Sequence, residues 1–392
     1  MSTPAPVEEK TTTNATGLEA RTVALSLDGP CAATTPNTIS SDETSPAAEA
    51  SVAAGGSSGT KVSDSPTAAE GESAQIPPHR SHDPNNNLKR SDPFQFGSRY
   101  LNEGDDVYEF NAWDHVETDD SYKEYTEQQI EKQRQSPVSD FDKSRFNNDP
   151  AKWWNLFYKN NTANFFKDRK WLKQEFPILS EVIEENVGPK VVLEIGAGAG
   201  NTAFPLLAAN KNSQLRIHAC DFSKKAVEVM RTQDTYDTAF MQADVWDVSG
   251  DVLPPDLEDN TVDVAILIFI FSALSPIQWA KAVENVSRLV KPGGHVCFRD
   301  YGRGDLAQVR FRKGRYMEEN FYVRGDGTRV YFFEKEELVN LWGDQFDIEN
   351  LAVDNRLIVN RASKQKMYRS WIQGRFTKKS KTACSEIAHA LK

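Results

Sequence analysis

The sequence LEIGAGAG at residues 193–200 follows an apolar run and ends in alternating glycines. The run VVLEIG (191–196) is almost continuously apolar, as in a strand that is covered on both faces of a sheet. Gly196, Gly198 and Gly200 let the backbone turn tightly and approach a ligand, because they have no Cβ. In open α/β sheets, ligands bind at the carboxyl edge, where this loop leaves its strand. The stretch therefore predicts a ligand-binding loop on an α/β fold.

The spacing of these glycines separates two classes of cofactor. Dinucleotide-binding loops have the pattern G-x-G-x-x-G. Here Asn201 follows Gly200, so the pattern is G-x-G-x-G. A glycine-rich loop alone is weak evidence, but this spacing favours S-adenosyl-L-methionine over NAD or FAD as the cofactor.

Polar and apolar side chains at later strand ends fit the same cofactor. Asp221 ends the second predicted strand about 20 residues beyond the loop, where its carboxylate can accept hydrogen bonds from both ribose hydroxyls. The alternative for Asp221 is a helix N-cap. Asp244 and Val245 follow the third strand. Asp244 can accept a hydrogen bond from the adenine amino group, and Val245 can form an apolar wall beside the ring. The alternative for Asp244 is a plain loop residue. Ile268 is the candidate for the other adenine wall, or simply a core residue.

Four further apolar runs alternate with helical patterns downstream of the loop. They are LRIHACDF (215–222), AFMQAD (239–244), VDVAILIFIF (262–271) and HVCFRDY (295–301). Such runs predict a doubly wound, mainly parallel sheet with crossover helices. Strands near 346–360 and 366–376 bring the total to seven, and this late hairpin adds an antiparallel edge. The run NFYVRGDGTRVYFF (320–333) predicts another hairpin with its turn at Asp326-Gly327, followed by a helix at about 334–342.

Composition divides the chain into four parts. Residues 1–93 contain no Phe, Tyr or Trp and are rich in Ala, Ser, Thr, Pro and Gly, which predicts a disordered tail. Residues 94–187 form an aromatic, charged, helical region with a helix over 122–135. A second helix should begin at Asn148 or Asp149, with Pro150 in its first turn, and run through 152–160. We expect the main domain to span 188–380 and the end at 381–392 to be flexible.

Composition also excludes several classes of protein. The longest apolar run, at 264–271, is far shorter than the roughly 20 residues that a membrane helix needs. The four cysteines are scattered, without C-x-x-C spacing, and the histidines are scattered too, apart from His79 and His82 in the predicted tail. We therefore expect a cytoplasmic protein that has no structural metal and no membrane contact.

Charge is distributed unevenly. The formal net charge is −11, but residues 301–392 carry eighteen basic and twelve acidic side chains. Within this end, residues 361–381 contain eight Lys or Arg and no acid, interleaved with three aromatic residues. Such a run is usually a solvated face, but the aromatics favour RNA contact. Arg369 and Trp371 are its candidates for binding substrate.

Several unusual runs resemble the tRNA 3-methylcytidine methyltransferases. They are AWDHVE (112–117), WWNLFYK (153–159), NFFKDR (164–169), FRDYG (298–302) and the hairpin at 320–333. The resemblance covers about 94–376. The AWDHVE run is more similar to the branch that acts on threonine tRNA than to the branch that acts on serine tRNA.

The resemblance implies a class I S-adenosylmethionine-dependent methyltransferase. Its fold would be a Rossmann-like, seven-stranded sheet, mainly parallel with an antiparallel late hairpin. The reaction would form 3-methylcytidine at position 32 in the anticodon arm of tRNA. The resemblance also places Trp154 and Tyr158 at the cofactor, and their i, i+4 spacing puts both rings on one helical face as a lid. Ordinary helix packing is the alternative for this pair, and the sequence leaves open whether a helper protein presents the tRNA.

The chemistry of cytosine N3 indicates what the site must do. N3 has a free lone pair at neutral pH, so the enzyme must mainly align the reactants, exclude water and stabilise the charge that moves onto the base. The base must be unpaired or flipped out of the loop. We expect Asp300 to accept a hydrogen bond from the cytosine amino group. We expect Arg299 to hold a phosphate or to orient the Asp300 carboxylate, and an internal ion pair is the alternative for Arg299. The further candidates for contact with the substrate are Phe165, Phe166, Arg169 and Tyr301.

Two other functions compete with this one. Many enzymes on this fold methylate small molecules or proteins, because a fold does not determine a substrate. A silent RNA-binding adaptor is the second alternative. The aromatic, charged region at 94–187 argues against a small substrate, and the intact glycine loop with its aspartates argues against an adaptor.

Overall fold

The predicted apolar runs form the parallel strands of one central sheet. The computed structural model describes residues 99–163 and 165–380. The predicted tail at 1–93 and the predicted flexible end at 381–392 lie outside the described residues. The strands are β1 (Ala112–Asp114), β2 (Lys190–Ile195), β3 (Leu215–Asp221), β4 (Met241–Val245), β5 (Val262–Ile268), β6 (Val290–Tyr301), β7 (Tyr316–Glu318), β8 (Phe321–Val323), β9 (Arg329–Tyr331), β10 (Phe346–Asn360) and β11 (Gln365–Lys378).

The central sheet has eight strands within the described residues. Their order is β1-β10-β11-β6-β5-β2-β3-β4, and the five strands from β6 to β4 are parallel. β11 runs antiparallel between β10 and β6. The seven predicted strands are therefore confirmed. However, the late hairpin does not end the sheet, because the unpredicted β1 pairs with the outer side of β10.

Helices pack on the sheet and build the N-terminal region. They are α1 (Asp120–Arg134), α2 (Asp140–Asn148), α3 (Pro150–Asn161), α4 (Leu172–Glu175), α5 (Ile178–Glu181), α6 (Ala203–Ala208), α7 (Lys224–Arg231), α8 (Pro276–Leu289), α9 (Leu306–Val309) and α10 (Lys335–Trp342). The three helices whose positions were predicted correspond to α1, α3 and α10. α3 begins as predicted, because the Asp149 carboxylate accepts from the N–H of Lys152 and Pro150 occupies the first turn.

The predicted hairpin at 320–333 forms β8 and β9, but it belongs to a separate sheet. β7, β8 and β9 make a three-stranded antiparallel sheet. This small sheet is joined to the end of β6, where the N–H of Phe333 donates to the carbonyl of Tyr301 at 2.9 Å. The turn of the hairpin, residues 324–328, thereby reaches the carboxyl edge of the central sheet.

Two large apolar clusters form the core around the central sheet. One contains large aromatic side chains, among them Phe271, Phe298, Trp342 and Phe376. The other is mostly aliphatic and includes residues of α4 to α7. Alternate residues of β2, β5 and β6 belong to the two clusters, which is why these strands contain continuous apolar runs.

Candidate active site

One cavity lies at the carboxyl edge of the sheet, near the ends of β2, β3, β5 and β6. The predicted site residues that line it are Trp154, Tyr158, Phe166, Arg169, Gly196, Gly198, Asp221, Ile268, Tyr301, Arg369 and Trp371. The predicted site residues outside its lining are Phe165, Gly200, Asp244, Val245, Arg299 and Asp300. The structure thus brings residues that are distant in sequence to a single site.

The glycine loop needs small residues for steric reasons. Gly196, Gly198 and Gly200 all have positive φ angles, of 67°, 59° and 85°. A Cβ at Gly198 would lie 2.3 Å from the hydroxyl oxygen of Tyr158, and a Cβ at Gly200 would lie 2.5 Å from the ring of Phe204. Gly198 therefore allows α3, the lid helix, to approach the loop. Gly200 allows α6 to pack closely.

Asp221 joins the glycine loop to the next strand. Its carboxylate accepts from the N–H of Gly198 at 2.9 Å and from the N–H of Ser223 at 2.8 Å. Burial raises its pKa to about 6. Ser223, not Asp221, caps α7, since the Ser223 hydroxyl accepts from the N–H of Ala226. Asp221 thus lines the cavity with a carboxylate that backbone donors fix in position.

Glu194 supports the loop from the end of β2. Its carboxylate accepts from the N–H of Ala203 at 2.9 Å, and burial raises its pKa to about 7. Ala203 is the first residue of α6. Glu194 therefore ties β2 to the helix that follows the glycine loop.

Asp244 and Val245 lie one strand beyond Asp221. Val245 is paired in register with Asp221, but it is 44% exposed. The Asp244 carboxylate accepts from Arg231 at 3.0 Å and from Gln242 at 2.8 Å. Their predicted role at adenine stays a prediction, and neither side chain lines the cavity.

The lid helix α3 presents an aromatic face to the cavity. The rings of Trp154 and Tyr158 are stacked, with centroids 6.1 Å apart. Tyr158 is buried, and burial raises the pKa of its hydroxyl well above the usual value. Phe157 packs edge-on against both rings at 5.3 and 5.2 Å. The i, i+4 pair therefore forms one side of the cavity.

Asn155 fixes the lid helix to the start of α7. Its side-chain oxygen accepts from the hydroxyl of Ser223 at 2.9 Å and from the N–H of Lys225 at 3.1 Å. Both donors follow Asp221 closely in the chain. Asn155 was not predicted from the sequence, because its partners are 68 and 70 residues away.

Arg169 is fastened to the residues that follow the glycine loop. Its N–H donates to the carbonyl of Asn201 at 2.8 Å, and its guanidinium donates to Thr202 at 3.2 Å. The same guanidinium lies 5.9 Å from the ring centroid of Phe269. The cavity therefore has a cation whose position is set by the residues that follow the glycine loop.

The two predicted phenylalanines before Arg169 occupy different places. Phe166 lines the cavity, and its carbonyl accepts from the side chain of Asn201 at 3.1 Å. Phe165 packs edge-on against Phe166 and Phe157, with ring centroids 4.9 and 4.8 Å away. Phe165 thus supports the wall rather than forming it.

Asp300 lies behind the cavity wall. It is completely buried, and its carboxylate accepts from the N–H groups of Ser272 and Tyr301, each at 2.9 Å. Burial raises its pKa to about 6. Ser272 and Tyr301 both line the cavity. The predicted contact of Asp300 with a base stays a prediction, since the structure shows this carboxylate holding two parts of the wall.

Arg299 forms the internal ion pair that the sequence left as its alternative. Its guanidinium donates to Asp354 at 2.7 Å and to Gln373 at 2.6 Å. It also lies over the rings of Trp171 and Trp371, at 5.2 and 4.9 Å from their centroids. A phosphate has no access to this side chain, which is 3% exposed. Arg299 instead supports Trp371 at the cavity.

Residues 365–378 of the basic segment form the reversed strand β11 inside the sheet rather than an open face. Phe376 is a core residue. Arg361 and Lys364 in the turn between β10 and β11, and Lys366 at the start of β11, are exposed, as expected for a solvated face. Four other cations bind partners within the protein: Arg369 binds Asp305, Arg375 binds Glu349, Lys378 binds Asn260, and Lys379 binds the carbonyl of Gly343.

The hairpin turn contributes cavity residues that were not predicted. Arg324, Asp326 and Thr328 line the cavity together with the glycine loop. The Arg324 guanidinium lies 5.8 Å from the ring centroid of Tyr301. The pattern Asp326-Gly327 identified the turn, but no local signal indicated that this turn reaches the site.

The lining of this cavity fits S-adenosylmethionine. A loop without side chains lets a ligand approach the backbone closely, the Asp221 carboxylate can accept from sugar hydroxyls, and Ile268 offers an apolar surface. The aromatic faces of Trp154 and Tyr158 suit a sulfonium cation. Within the described residues, no group of three or more His, Cys, Asp or Glu side chains could hold a metal ion. In the same ranges, no helix has the length and apolar character that a membrane crossing requires.

The sheet order and this cavity define a class I S-adenosylmethionine-dependent methyltransferase. The family model described as "Methyltransferase domain" matches residues 193–296, from the glycine loop into β6. The chain is 50% identical over 283 residues to tRNA N(3)-methylcytidine methyltransferase trm140 of Schizosaccharomyces pombe, covering 72% of this chain and 92% of that protein. It is 36% identical over 354 residues to tRNA N(3)-cytidine methyltransferase METTL2B of Homo sapiens, covering 72% and 93%.

A third relative carries a more specific name. The chain is 48% identical over 292 residues to tRNA(Thr) (cytosine(32)-N(3))-methyltransferase of Saccharomyces cerevisiae. The match covers 74% of this chain and 46% of that protein, so the chain spans about half of its length. On these relationships, the chain belongs to the tRNA N(3)-methylcytidine methyltransferase family.

Proposed function

We propose that this chain transfers a methyl group from S-adenosylmethionine to N3 of cytidine 32 in the anticodon loop of threonine tRNA. The observation that carries the proposal is the composition of the cavity. Beside the glycine loop and the lid helix, it has aromatic and cationic side chains that suit a flipped, stacked base and its phosphate, namely Phe166, Arg169, Tyr301, Arg324 and Trp371.

The cofactor is held on the side of the glycine loop. Asp221 accepts from the ribose, and Gly196 and Gly198 keep the floor of the cavity free of side chains. Trp154 and Tyr158 cover the cofactor and exclude water. S-adenosylmethionine supplies an electrophilic methyl group, for which the N3 lone pair is the nucleophile.

The adenine of the cofactor lies toward the ends of β4 and β5. Ile268 packs against one face of the ring, and Val245 borders it from the neighbouring strand end. Asp244 accepts from the adenine amino group. The pairing of the strands supports this placement of the adenine, because Val245 is paired in register with Asp221.

The cytidine is held on the opposite side. Phe166 and Tyr301 stack on the base or border it, and Arg169 and Arg324 bind the phosphates next to it. The protein needs no general base, because N3 is not protonated at neutral pH.

Trp371 closes the end of the cytidine pocket. Arg299 and Arg369 hold its ring, with guanidinium groups 4.9 and 4.8 Å from the centroid. Both arginines are themselves fixed by buried carboxylates, Asp354 and Asp305. The Trp371 ring is therefore already fixed before the base binds against it, which lowers the entropic cost of binding.

Asp300 acts as a positioning residue in this proposal. Its carboxylate holds the N–H groups of Ser272 and Tyr301, which fixes the wall against which the base lies. Its negative charge also offsets the positive charge that develops on the methylated base. Direct contact with the cytosine amino group stays the sequence-based prediction.

The substrate assignment is tested with two tRNA transcripts that differ at one nucleotide. The purified full chain should methylate a threonine tRNA transcript and should not methylate the same transcript with uridine at position 32. Equal methyl incorporation into both transcripts would overturn the assignment. If activity appears only after cell extract is added, a helper protein belongs to the system. We place this activity in the cytoplasm, where its cysteines stay reduced.

A further inference from the structure

A basic loop outside the predicted segment lies between α9 and β7. Its sequence is RFRKGR, residues 310–315. Arg310, Arg312 and Lys313 are exposed. Within the part of the chain that the structure describes, their side chains make no hydrogen bond and no ion pair. These three cations are therefore available to a ligand, unlike most cations of the strand β11.

The backbone of this loop is fixed although its cations are free. The side chain of Gln133 donates to the carbonyl of Phe311 at 3.0 Å. The ring of Phe311 stacks on that of Tyr322, with centroids 4.8 Å apart and an interplanar angle of 6°. The N–H of Gly314 donates to the carbonyl of Ser136 at 2.8 Å. A loop that is ordered before binding loses less entropy when it binds.

The loop leads directly to the substrate side of the cavity. The guanidinium of Arg315 donates to the carbonyl of Arg324 at 3.2 Å. The N–H of Val323 donates to the carbonyl of Arg315 at 3.0 Å. Since Arg324 lines the cavity, the three free cations lie on a loop whose last residue contacts the cavity wall.

Nearby acidic side chains already bind other cations. Glu318 pairs with Lys143 at 2.8 Å, and Glu319 pairs with Arg134 at 2.7 Å. Both acids lie just beyond the loop, in or after β7. The positive charge of the loop is therefore not neutralised by its neighbours in the chain.

We propose that Arg310, Arg312 and Lys313 bind the phosphates of the RNA strand next to the flipped cytidine. This inference rests on the proposed function. A polyanion suits three free cations on a fixed loop, and the continuity with Arg324 places these phosphates beside the base in the cavity. The loop thereby provides affinity and positioning rather than recognition of sequence.

The test removes the three charges from the full-length protein. The variant Arg310→Gln/Arg312→Gln/Lys313→Gln should bind S-adenosylhomocysteine as the wild type does, because the cofactor side is untouched. Its dissociation constant for tRNA, measured by fluorescence anisotropy without turnover, should rise roughly ten-fold or more. The slope of log affinity against log salt concentration should become smaller by about 2, as expected for three lost contacts to single-stranded phosphates.

A matched control removes three charges elsewhere. Lys190, Lys211 and Arg288 lie near the starts of β2, β3 and β6, at the edge of the sheet opposite the cavity. Each is in an ion pair of low expected energy. The variant Lys190→Gln/Lys211→Gln/Arg288→Gln should leave the affinity for tRNA and the salt slope nearly unchanged.

A third variant compares the two candidate surfaces. If Arg361→Gln/Lys364→Gln/Lys366→Gln weakens binding and the loop variant does not, the inference is overturned in favour of the turn between β10 and β11. It is also overturned if the loop variant behaves like the control. Because binding is measured without methylation, these outcomes do not depend on which nucleotide is modified. Failure of the proposed function would appear instead as a wild-type protein that does not methylate cytidine 32.

Discussion

The indole ring of Trp153 lies against Gly327, and a Cβ at Gly327 would be 2.3 Å from Cε3 of that ring. Trp153 belongs to the lid helix α3, beside Trp154 at the cavity. Gly327 belongs to the hairpin turn that carries Arg324 and Asp326. The helix that carries Trp154 and the turn that carries Arg324 are therefore in direct contact.

This contact predicts that Gly327→Ala impairs methyl transfer to tRNA. The added Cβ must displace Trp153, and a φ angle of +86° strains any residue other than glycine. We expect a lower single-turnover rate with nearly unchanged binding of S-adenosylhomocysteine. Gly104→Ala is the matched control, because Gly104 has a similar φ of +92° but no neighbour within 4 Å of an added Cβ. Equal effects of the two substitutions would mean that the contact does not matter.

The approach of Tyr158 to Gly198 predicts a coupling between two substitutions. Gly198→Ala should weaken cofactor binding, through backbone strain of about 1–2 kcal/mol and through the clash with the tyrosine hydroxyl. Tyr158→Phe removes that hydroxyl and leaves the nearest ring carbon 3.3 Å from the added Cβ. Gly198→Ala should therefore cost less in the Tyr158→Phe background, as a double-mutant cycle by calorimetry would reveal. Additive losses would show that the clash is not the cause.

The burial of Asp221 predicts weaker cofactor binding in acid. Its pKa is raised to about 6, so it is ionised at neutral pH. The proposed function has this carboxylate accept hydrogen bonds from the ribose. Affinity for S-adenosylhomocysteine should fall as the pH drops below about 6, approaching roughly ten-fold per pH unit. Protonation of Asp221 does not itself favour unfolding, because a carboxyl group with a raised pKa in the folded state stabilises the fold as it takes up a proton. Thermal unfolding at each pH checks that the protein is folded.

Two variants distinguish the effect of Asp221 on the pH dependence of cofactor binding from the effect of Glu194. Asp221→Asn should bind the cofactor weakly at all pH values and should flatten the profile. Glu194→Gln removes a carboxyl group with a pKa of about 7 but keeps an acceptor for Ala203, so the acid-dependent loss should persist. A profile that is flattened by Glu194→Gln and not by Asp221→Asn would argue against the assignment of Asp221.

The hydrogen bonds of Asp300 predict a loss of rate rather than of cofactor affinity. Asn offers one oxygen where the carboxylate offers two, so an N–H of Ser272 or Tyr301 loses its acceptor, at a cost of about 1–3 kcal/mol. We expect Asp300→Asn to lower the single-turnover rate about ten-fold or more, with the wild-type affinity for S-adenosylhomocysteine. Thermal unfolding checks that the variant is folded. A folded variant with an unchanged rate removes Asp300 from the mechanism.

The fold was predictable because its main signal is local. Strands that are covered on both faces need continuous apolar runs, and all five such runs form the parallel strands. β1 was missed because it is three residues long, with Trp113 as its one buried residue. It pairs with Arg356, Leu357 and Ile358, and no pattern within the segment records a pairing so distant in the sequence.

The site was predictable where strand ends determine it. Gly196, Gly198, Asp221 and Ile268 meet in one cavity because parallel strands end at the same edge of the sheet. Arg324 was overlooked because the location of a hairpin depends on tertiary packing. Local sequence therefore identified the cofactor side better than the substrate side.

Charge patterns were less informative than strand ends. The pattern of 361–381 did not reveal which of its cations are paired, since their partners, such as Asp305 and Glu349, are distant in the sequence. The basic loop at 310–315 was not predicted as a binding surface, because nothing in the local sequence indicates that its cations stay unpaired. Whether a cation is free depends on the tertiary structure.

The identity of the modified nucleoside decides whether this chain is a cytidine-N3 methyltransferase. Threonine tRNA transcript is methylated by the purified chain, digested to nucleosides and analysed by mass spectrometry against methylcytidine standards. We predict 3-methylcytidine as the product with the wild type, and little or none with Asp221→Ala at the same enzyme concentration. A product methylated at C5 or at the exocyclic amine, or a folded Asp221→Ala variant with full activity, would refute the assignment.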